Sequence, residues 1–203
     1  MSQIIQPFVP FRKIPRLRRE IIVTEKIDGT NACVYVPEDK TEPLVAGKRS
    51  AWIAPGPTDN HHFAMFVELN EDALRGLGPG VHFGEWWGKG INRRYPDVEH
   101  KRFSLFNTER WRRRDVKASV YGPYGPEAVE PPECCDVVPV LARFDRLDDK
   151  DIQAILDALR VTGSIAAPGC FKPEGIVVYH TASKSCFKVT LEKDDAPKGM
   201  EET

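Results

Sequence analysis

Residues 20–36 read as strand, tight turn, strand, and no other stretch constrains the fold of this chain as strongly. Ile21-Ile22-Val23-Thr24-Glu25-Lys26-Ile27 is β-branched and apolar, Asp28-Gly29-Thr30-Asn31 has turn chemistry, and Ala32-Cys33-Val34-Tyr35-Val36 resumes a β pattern. Taken alone the segment is a hairpin, with Lys26 at the lip of its turn.

The rest of the chain repeats the theme of short strands between turn signals. Strands are predicted over Val81 to Trp87, Arg102 to Asn107, Val137 to Phe144, Gly175 to His180 and Cys186 to Leu191. Asp59 or Asn60 is placed to cap a helix carrying Phe63, Phe66, Val67, Leu74 and Leu77, ended by Gly76, Gly78 and Gly80. A second, amphipathic helix is predicted over Asp148 to Arg160, where Ile152, Ile155, Leu156 and Leu159 share one face. Tyr121 to Pro132, dense in Pro and Gly, reads as a loop. No internal repeat occurs, and this pattern predicts an α+β domain with largely antiparallel sheets flanked by a few helices.

With 41% hydrophobic and 29% charged residues the chain has the balance of a globular protein and can bury one good core. The expected organisation is a single domain over residues 1–193, a short polar tail at 194–203, and no C-terminal accessory domain. No apolar stretch approaches the roughly 20 residues of a membrane span, and the first residues lack the order of a signal peptide, so a cytoplasmic location without membrane association is expected. The five cysteines, Cys33, Cys134, Cys135, Cys170 and Cys186, show no CxxC pair or metal-ligand spacing and are expected as reduced thiols. His61 and His62 lack carboxylate companions and read as surface residues. Positive charge is local against a net charge of −1: Arg12, Lys13, Arg16, Arg18 and Arg19 precede the first acidic residue, and Arg110, Arg112, Arg113 and Arg114 surround Trp111. The second group, with Arg93 and Arg94 near Tyr95, reads either as a phosphate grip or as a solvated face.

The chemistry centres on Glu25-Lys26-Ile27-Asp28-Gly29-Thr30-Asn31. A lysine nucleophile needs desolvation or neighbouring cations to lose its proton. Gly29 removes a Cβ from the path of a phosphate, and Asn31 can donate to an oxyanion or metal-bound water. Further along come Gly47-Lys48-Arg49-Ser50 with a cation pair at a strand end, Phe83-Gly84-Glu85 with a strand-borne carboxylate, and Phe103-Ser104-Leu105-Phe106 with an aromatic platform. Pro173-Glu174-Gly175-Ile176-Val177-Val178 adds a second carboxylate, and Phe187-Lys188-Val189 a final inward lysine.

In that order the segments resemble the motifs of the covalent nucleotidyltransferase superfamily of ATP-dependent ligases and capping enzymes. The chain is most similar to the RNA ligase family whose founding phage members seal nicks in duplex RNA, and the likeness runs from Glu20 to Leu191. The resemblance implies the ligase adenylation-domain fold around an ATP pocket, with Lys26 as the nucleophile that takes AMP. It further implies that Glu25, Ile27, Asp28, Gly29 and Asn31 line the nucleotide site, that Arg49 contacts the adduct or its phosphate, that Glu85 binds the ribose, and that Phe106 stacks on adenine. Glu174, with Val177 beyond it on the same motif, is implied to hold Mg2+ or Mn2+ or its waters, and Lys188 to meet the α-phosphate. RNA rather than DNA is the implied partner.

The chain departs from the family pattern at three points. The fifth motif usually carries two lysines one residue apart, and here Cys186 and Thr190 flank Lys188, with Lys184 mis-spaced. Asn107 stands where Asp often follows the stacking aromatic. Family members normally append a C-terminal domain that engages nucleic acid, so either this core binds substrate itself or a protein partner supplies that engagement. The competing readings are a GTP-using capping-type guanylyltransferase, a nucleic-acid-binding module of the same fold with lost or partial catalysis, and an AMP transferase acting on a protein or small molecule.

Overall fold

A computed structural model describes residues 8–91, 95, 98–116, 123–146 and 148–192. Arg93, Arg94 and the tail at 194–203 lie outside the described residues, as does the start of the loop expected from Tyr121.

The β-rich segments form two sheets. The first has four strands in the order β10 (Ser185–Thr190), β9 (Gly175–His180), β1 (Ile21–Lys26) and β8 (Val140–Phe144), all antiparallel. The second has six, in the order β4 (Ala51–Ile53), β3 (Val45–Lys48), β2 (Thr30–Val36), β5 (Gly80–Gly88), β6 (Lys101–Leu105) and β7 (Cys135–Val137). Its pairs are antiparallel except β6 with β7. The architecture is the α+β arrangement that the strand and turn pattern predicts.

β1 and β2 are not a hairpin. β1 pairs with β8 and β9 while β2 pairs with β3 and β5, so residues 27–29 carry the chain from one sheet to the other. The reason lies in Gly29: a Cβ there would stand 2.5 Å from the carbonyl oxygen of Trp86 and 2.7 Å from Cβ of Trp87, so the turn is pressed onto β5 rather than folded back on β1. The expected strand over Val137 to Phe144 is likewise two strands in two sheets, broken at Val138-Pro139. Proline lacks the N–H a ladder needs and keeps the preceding residue extended. At this break Val138 N–H donates to Leu105 O in one sheet while Pro139 O accepts from Glu25 N–H in the other.

Helix α1 (Phe63–Leu69) covers the outer face of the six-stranded sheet, where Phe63 packs on Trp86 and Phe103 with ring centroids 5.3 and 5.0 Å apart. Asp59 reaches its first turn and accepts from Ala64 N–H and Met65 N–H. The expected single helix to Leu77 breaks at Asn70, whose side-chain amide donates to Phe66 O and so competes with the backbone ladder; α2 (Glu71–Leu74) and a 3-10 turn (Arg75–Leu77) follow. Helix α3 (Asp149–Thr162) opens on a capping box between Asp148 and Asp151 and lays Leu156 and Leu159 on Ile21, Val23, Ile176 and Val178 of the four-stranded sheet. Each such buried aliphatic side chain contributes about 1.5–3 kcal/mol. The inner faces of both sheets are left to line a cleft. No helix among the described residues is long and apolar enough to cross a membrane, and all five cysteines carry free thiols.

Candidate functional site

Strand alternation sorts β1 into two faces. Ile21, Val23 and Glu25 point outward, and Ile22, Thr24 and Lys26 point into a cleft of about 1010 Å3 between the sheets, at the upper end of the ~300–1,000 Å3 usual for small-molecule sites. Ile27, Asp28, Gly29, Asn31, Arg49, Glu85, Phe106, Glu174, Val177 and Lys188 line the same cleft. They come from both sheets and from positions far apart in sequence.

At the junction of the sheets Lys26 Nζ donates to Glu174 Oε2 at 2.7 Å, and both side chains are about four-fifths buried (22% and 20% exposed). The pairing follows from register: Lys26 lies opposite Gly175 on β9, which brings the preceding Glu174 to its amine. Lys188 lies opposite Val177 on the neighbouring edge strand β10, so these two share the inner face. Across the cleft Asn31 is paired with Glu85, which puts both on one face of the six-stranded sheet. Arg49 stands in the turn between β3 and β4. Phe106 follows β6, held by its N–H to Phe83 O at 3.0 Å, and its ring is 39% exposed to the cleft.

Electrostatically the site is a set of alternating charges. Burial pushes the Glu85 carboxyl up to about 7; Lys26 pulls it down, Glu174 pushes it up, and a hydrogen bond from Gly29 N–H favours the charged form. The folded protein therefore holds a proton on Glu85 that the unfolded chain releases above pH 4.5, so this group's stabilising contribution is present below pH 4.5 and lost as pH rises through 7. Glu85→Gln is expected to match the wild type in thermal stability near pH 4.5 and to exceed it at pH 8, by at most about 3 kcal/mol. Melting curves at the two pH values check this, and an equal difference at both would count against the buried charge.

Two predicted site residues that line the cleft also hold the fold together. The carboxylate of Glu25, 2% exposed, turns away from Lys26 and accepts from Ser164 Oγ and from the N–H groups of Ile165 and Ala166. It pins the 164–166 loop to β1. Gly29 lines the cleft and is also required by the close approach to β5. Asp28 is fixed through its N–H, which donates to the buried Tyr95 hydroxyl at 2.8 Å. Thr24 and Tyr179, which also line the cleft, carried no sequence signal, since their contribution depends on which strands become neighbours.

In the basic cluster at 110–114 the side chains are engaged by the protein's own groups. Trp111 is buried, Arg110 lies over its ring and donates to Leu77 O, and Arg112 donates to Ala128 O and Val116 O. Arg113 is held by Asp115 and Ile165 O, and Arg114 by Pro131 O and Cys135 O. These guanidiniums satisfy loop carbonyls, the ordinary requirement for backbone without a ladder. A smaller cavity of about 240 Å3 beside Trp87, Ser104, Arg113 and Arg114 contains none of the predicted site residues. His61 and His62 are exposed, as expected, and both adopt left-handed backbone, with φ 52 and 64, where His61 O accepts from Trp86 Nε1.

The sequence model of the RNA ligase family matches residues 19–190. No curated protein sequence gives a significant match. Among solved structures the chain is similar to mutants of the RNA ligase of Naegleria gruberi. An apo form is 19% identical with a TM-score of 0.53, covering 85% of this chain and 50% of that one. A form with ATP and Mn is 17% identical with a TM-score of 0.55, covering 87% and 51%. A form with AMP and Mn is 17% identical with a TM-score of 0.54, covering 86% and 50%. The chain thus spans about half the length of these structures, and at such identity the likeness speaks to the fold. Because the family's sequence pattern runs through nearly the whole described core, and its motif residues converge on one cleft between two sheets, the chain belongs to the RNA ligase family.

Proposed function

We propose that this chain is the adenylylating core of an ATP-dependent RNA ligase, with Lys26 as the residue that carries AMP. The observation that supports the reading most is the 2.7 Å pair of Lys26 and Glu174 at the sheet junction, in one cleft with Arg49, Glu85 and Lys188.

In the first step the amine gives its proton to an acceptor, for which the Glu174 carboxylate is within hydrogen-bond reach. The nitrogen lone pair then forms a bond to the α-phosphorus of ATP while the bond to the β-phosphate oxygen breaks, and pyrophosphate leaves with that electron pair. Arg49 and Lys188 reach the cleft from opposite sheets and offset the negative charge that grows on phosphate oxygens. Glu85 offers its carboxyl to a ribose hydroxyl beside Asn31. The Phe106 ring and the Val177 side chain offer apolar surfaces to the purine, where aromatic stacking contributes on the order of 1–3 kcal/mol. In the second and third steps AMP passes to a 5′-phosphate end and a 3′-hydroxyl displaces it.

The Naegleria structures that contain ATP or AMP also contain Mn, and the donor set here suits such an ion. Among the described residues no group of three or more His, Cys, Asp or Glu side chains is arranged to hold a metal ion by itself. Hard cations at nucleotide sites use one or two carboxylates with phosphates and waters, a role for which Glu174 is placed. Bound there, Mg2+ or Mn2+ supplies Lewis-acid charge to the phosphates.

The test is intact-mass spectrometry after incubation with ATP or GTP and Mg2+. An AMP adduct from ATP is expected; a GMP adduct in its place, or no adduct at all, overturns the reading. Nicked RNA duplex, single-stranded RNA and nicked DNA offered side by side then report the substrate, with the RNA nick expected to be sealed.

A further inference from the structure

We infer that residues 8–19, ahead of β1, are an arm that binds the RNA strand entering the cleft, an assignment that rests on the ligase reading above. Every one of these twelve residues is exposed. The segment holds Arg12, Lys13, Arg16, Arg18 and Arg19, and none of the chain's 30 acidic residues precedes Glu20. Around Trp111, Arg112 and Arg113 are held in ion pairs with Glu130 and Asp115, whereas the five cations of the arm form no ion pair among the described residues; Arg19 Nη1 donates to Arg18 O. The chain's net charge is −1 with them included, so the rest of the chain is net acidic while the arm concentrates positive charge.

Interleaved with the cations are Phe8, Phe11, Ile14 and Leu17, each more than four-fifths exposed. Cations on phosphates with aromatic faces on unpaired bases are the usual footprint of single-strand binding. A lipid surface is the weaker fit. Pro10 and Pro15 prevent the continuous helix that would gather the apolar side chains on one face.

The arm is also in reach of the site. It is tied to the fold where the imidazole Nε2 of His180 meets Leu17 O at 2.8 Å. His180 pairs with Ile21, five residues along β1 from Lys26, which is about 17 Å at strand rise. The nine residues ahead of Leu17 span up to about 30 Å when extended, so the arm can follow a strand to the nucleophile.

The test uses the full chain with all five cations changed to Gln, and a second variant, F8A with F11A. A fluorescent single-stranded RNA is titrated by anisotropy at several salt concentrations, alongside the intact-mass assay for AMP. Expected for the five-Gln variant is affinity weaker by about 10–100-fold at moderate salt, with the slope of log affinity against log salt shallower by up to about 3–4, because each phosphate contact contributes roughly 0.7–0.9. The phenylalanine variant is expected to bind more weakly with its slope unchanged. Both are expected to form the AMP adduct as the wild type does. Normal adduct with unchanged affinity and slope overturns the arm and leaves the ligase reading intact, as does selective loss of binding to phosphatidylserine vesicles. Absence of adduct in the wild type overturns the reading on which the arm rests.

Discussion

Lys26→Ala is expected to abolish protein-bound AMP altogether while leaving the fold intact. The amine is the only atom of that side chain that forms a bond in the proposed step, and alanine offers no nucleophile in its place. The ion pair it removes is one-fifth exposed and leaves Glu174 at a cleft rim that water can reach, so the cost to stability is small beside the chemical effect. Lys188→Ala, which removes a fixed cation but no bonding atom, is expected to slow adduct formation by about 10²–10³-fold, the usual cost of losing one oxyanion partner. Labelled AMP retained after Lys26→Ala would place the nucleophile elsewhere and refute the proposed mechanism. Equal loss in both variants would mean that Lys188 holds the site together rather than stabilising charge.

The second large effect is on folding. Glu25→Ala is expected to destabilise the protein by about 3 kcal/mol, since it strands the Ser164 hydroxyl and the Ala166 N–H in a buried position and removes the part-buried hydrogen bond from Ile165 N–H. Glu25→Gln is expected to be far milder. Its oxygen can accept from the two amides, and its NH2 can donate to Ser164 Oγ, which already accepts from Ala167 N–H. Burial raises the Glu25 pKa against the opposing pull of those hydrogen bonds, so the neutral amide also escapes a desolvation penalty on the charge. Urea denaturation of the three proteins decides the matter: an alanine variant as stable as the wild type would show that the loop is not held by this carboxylate. Because Glu25 precedes Lys26 on the same strand, adduct formation is expected to track the same order.

Much of the cleft was readable residue by residue. Strand periodicity put Lys26, Glu85 and Lys188 on strands, and each does face the cleft. What misled was partner choice. The turn at Asp28-Gly29 has the composition of a hairpin turn, yet Gly29 is consumed by contact with β5. The arginines around Trp111 have the composition of a phosphate grip, yet loop carbonyls from residues 77, 116, 128, 131, 135 and 165 occupy them. Glu25 sits among the motif residues, yet its partners are about 140 positions away in the chain.

By itself the sequence determined the local terms: which segments extend, which face of each strand is apolar, where α3 is capped, and which side chains have the chemistry for nucleotidyl transfer. Those properties depend on neighbours two to four residues apart, which any chain segment carries with it. Only the tertiary structure decided that β1 and β2 belong to different sheets, that Lys26 meets Glu174, and which cations stay in water. Those outcomes depend on long-range pairing and on the need of every buried polar group for a partner, and such partners are found only once the whole chain has packed.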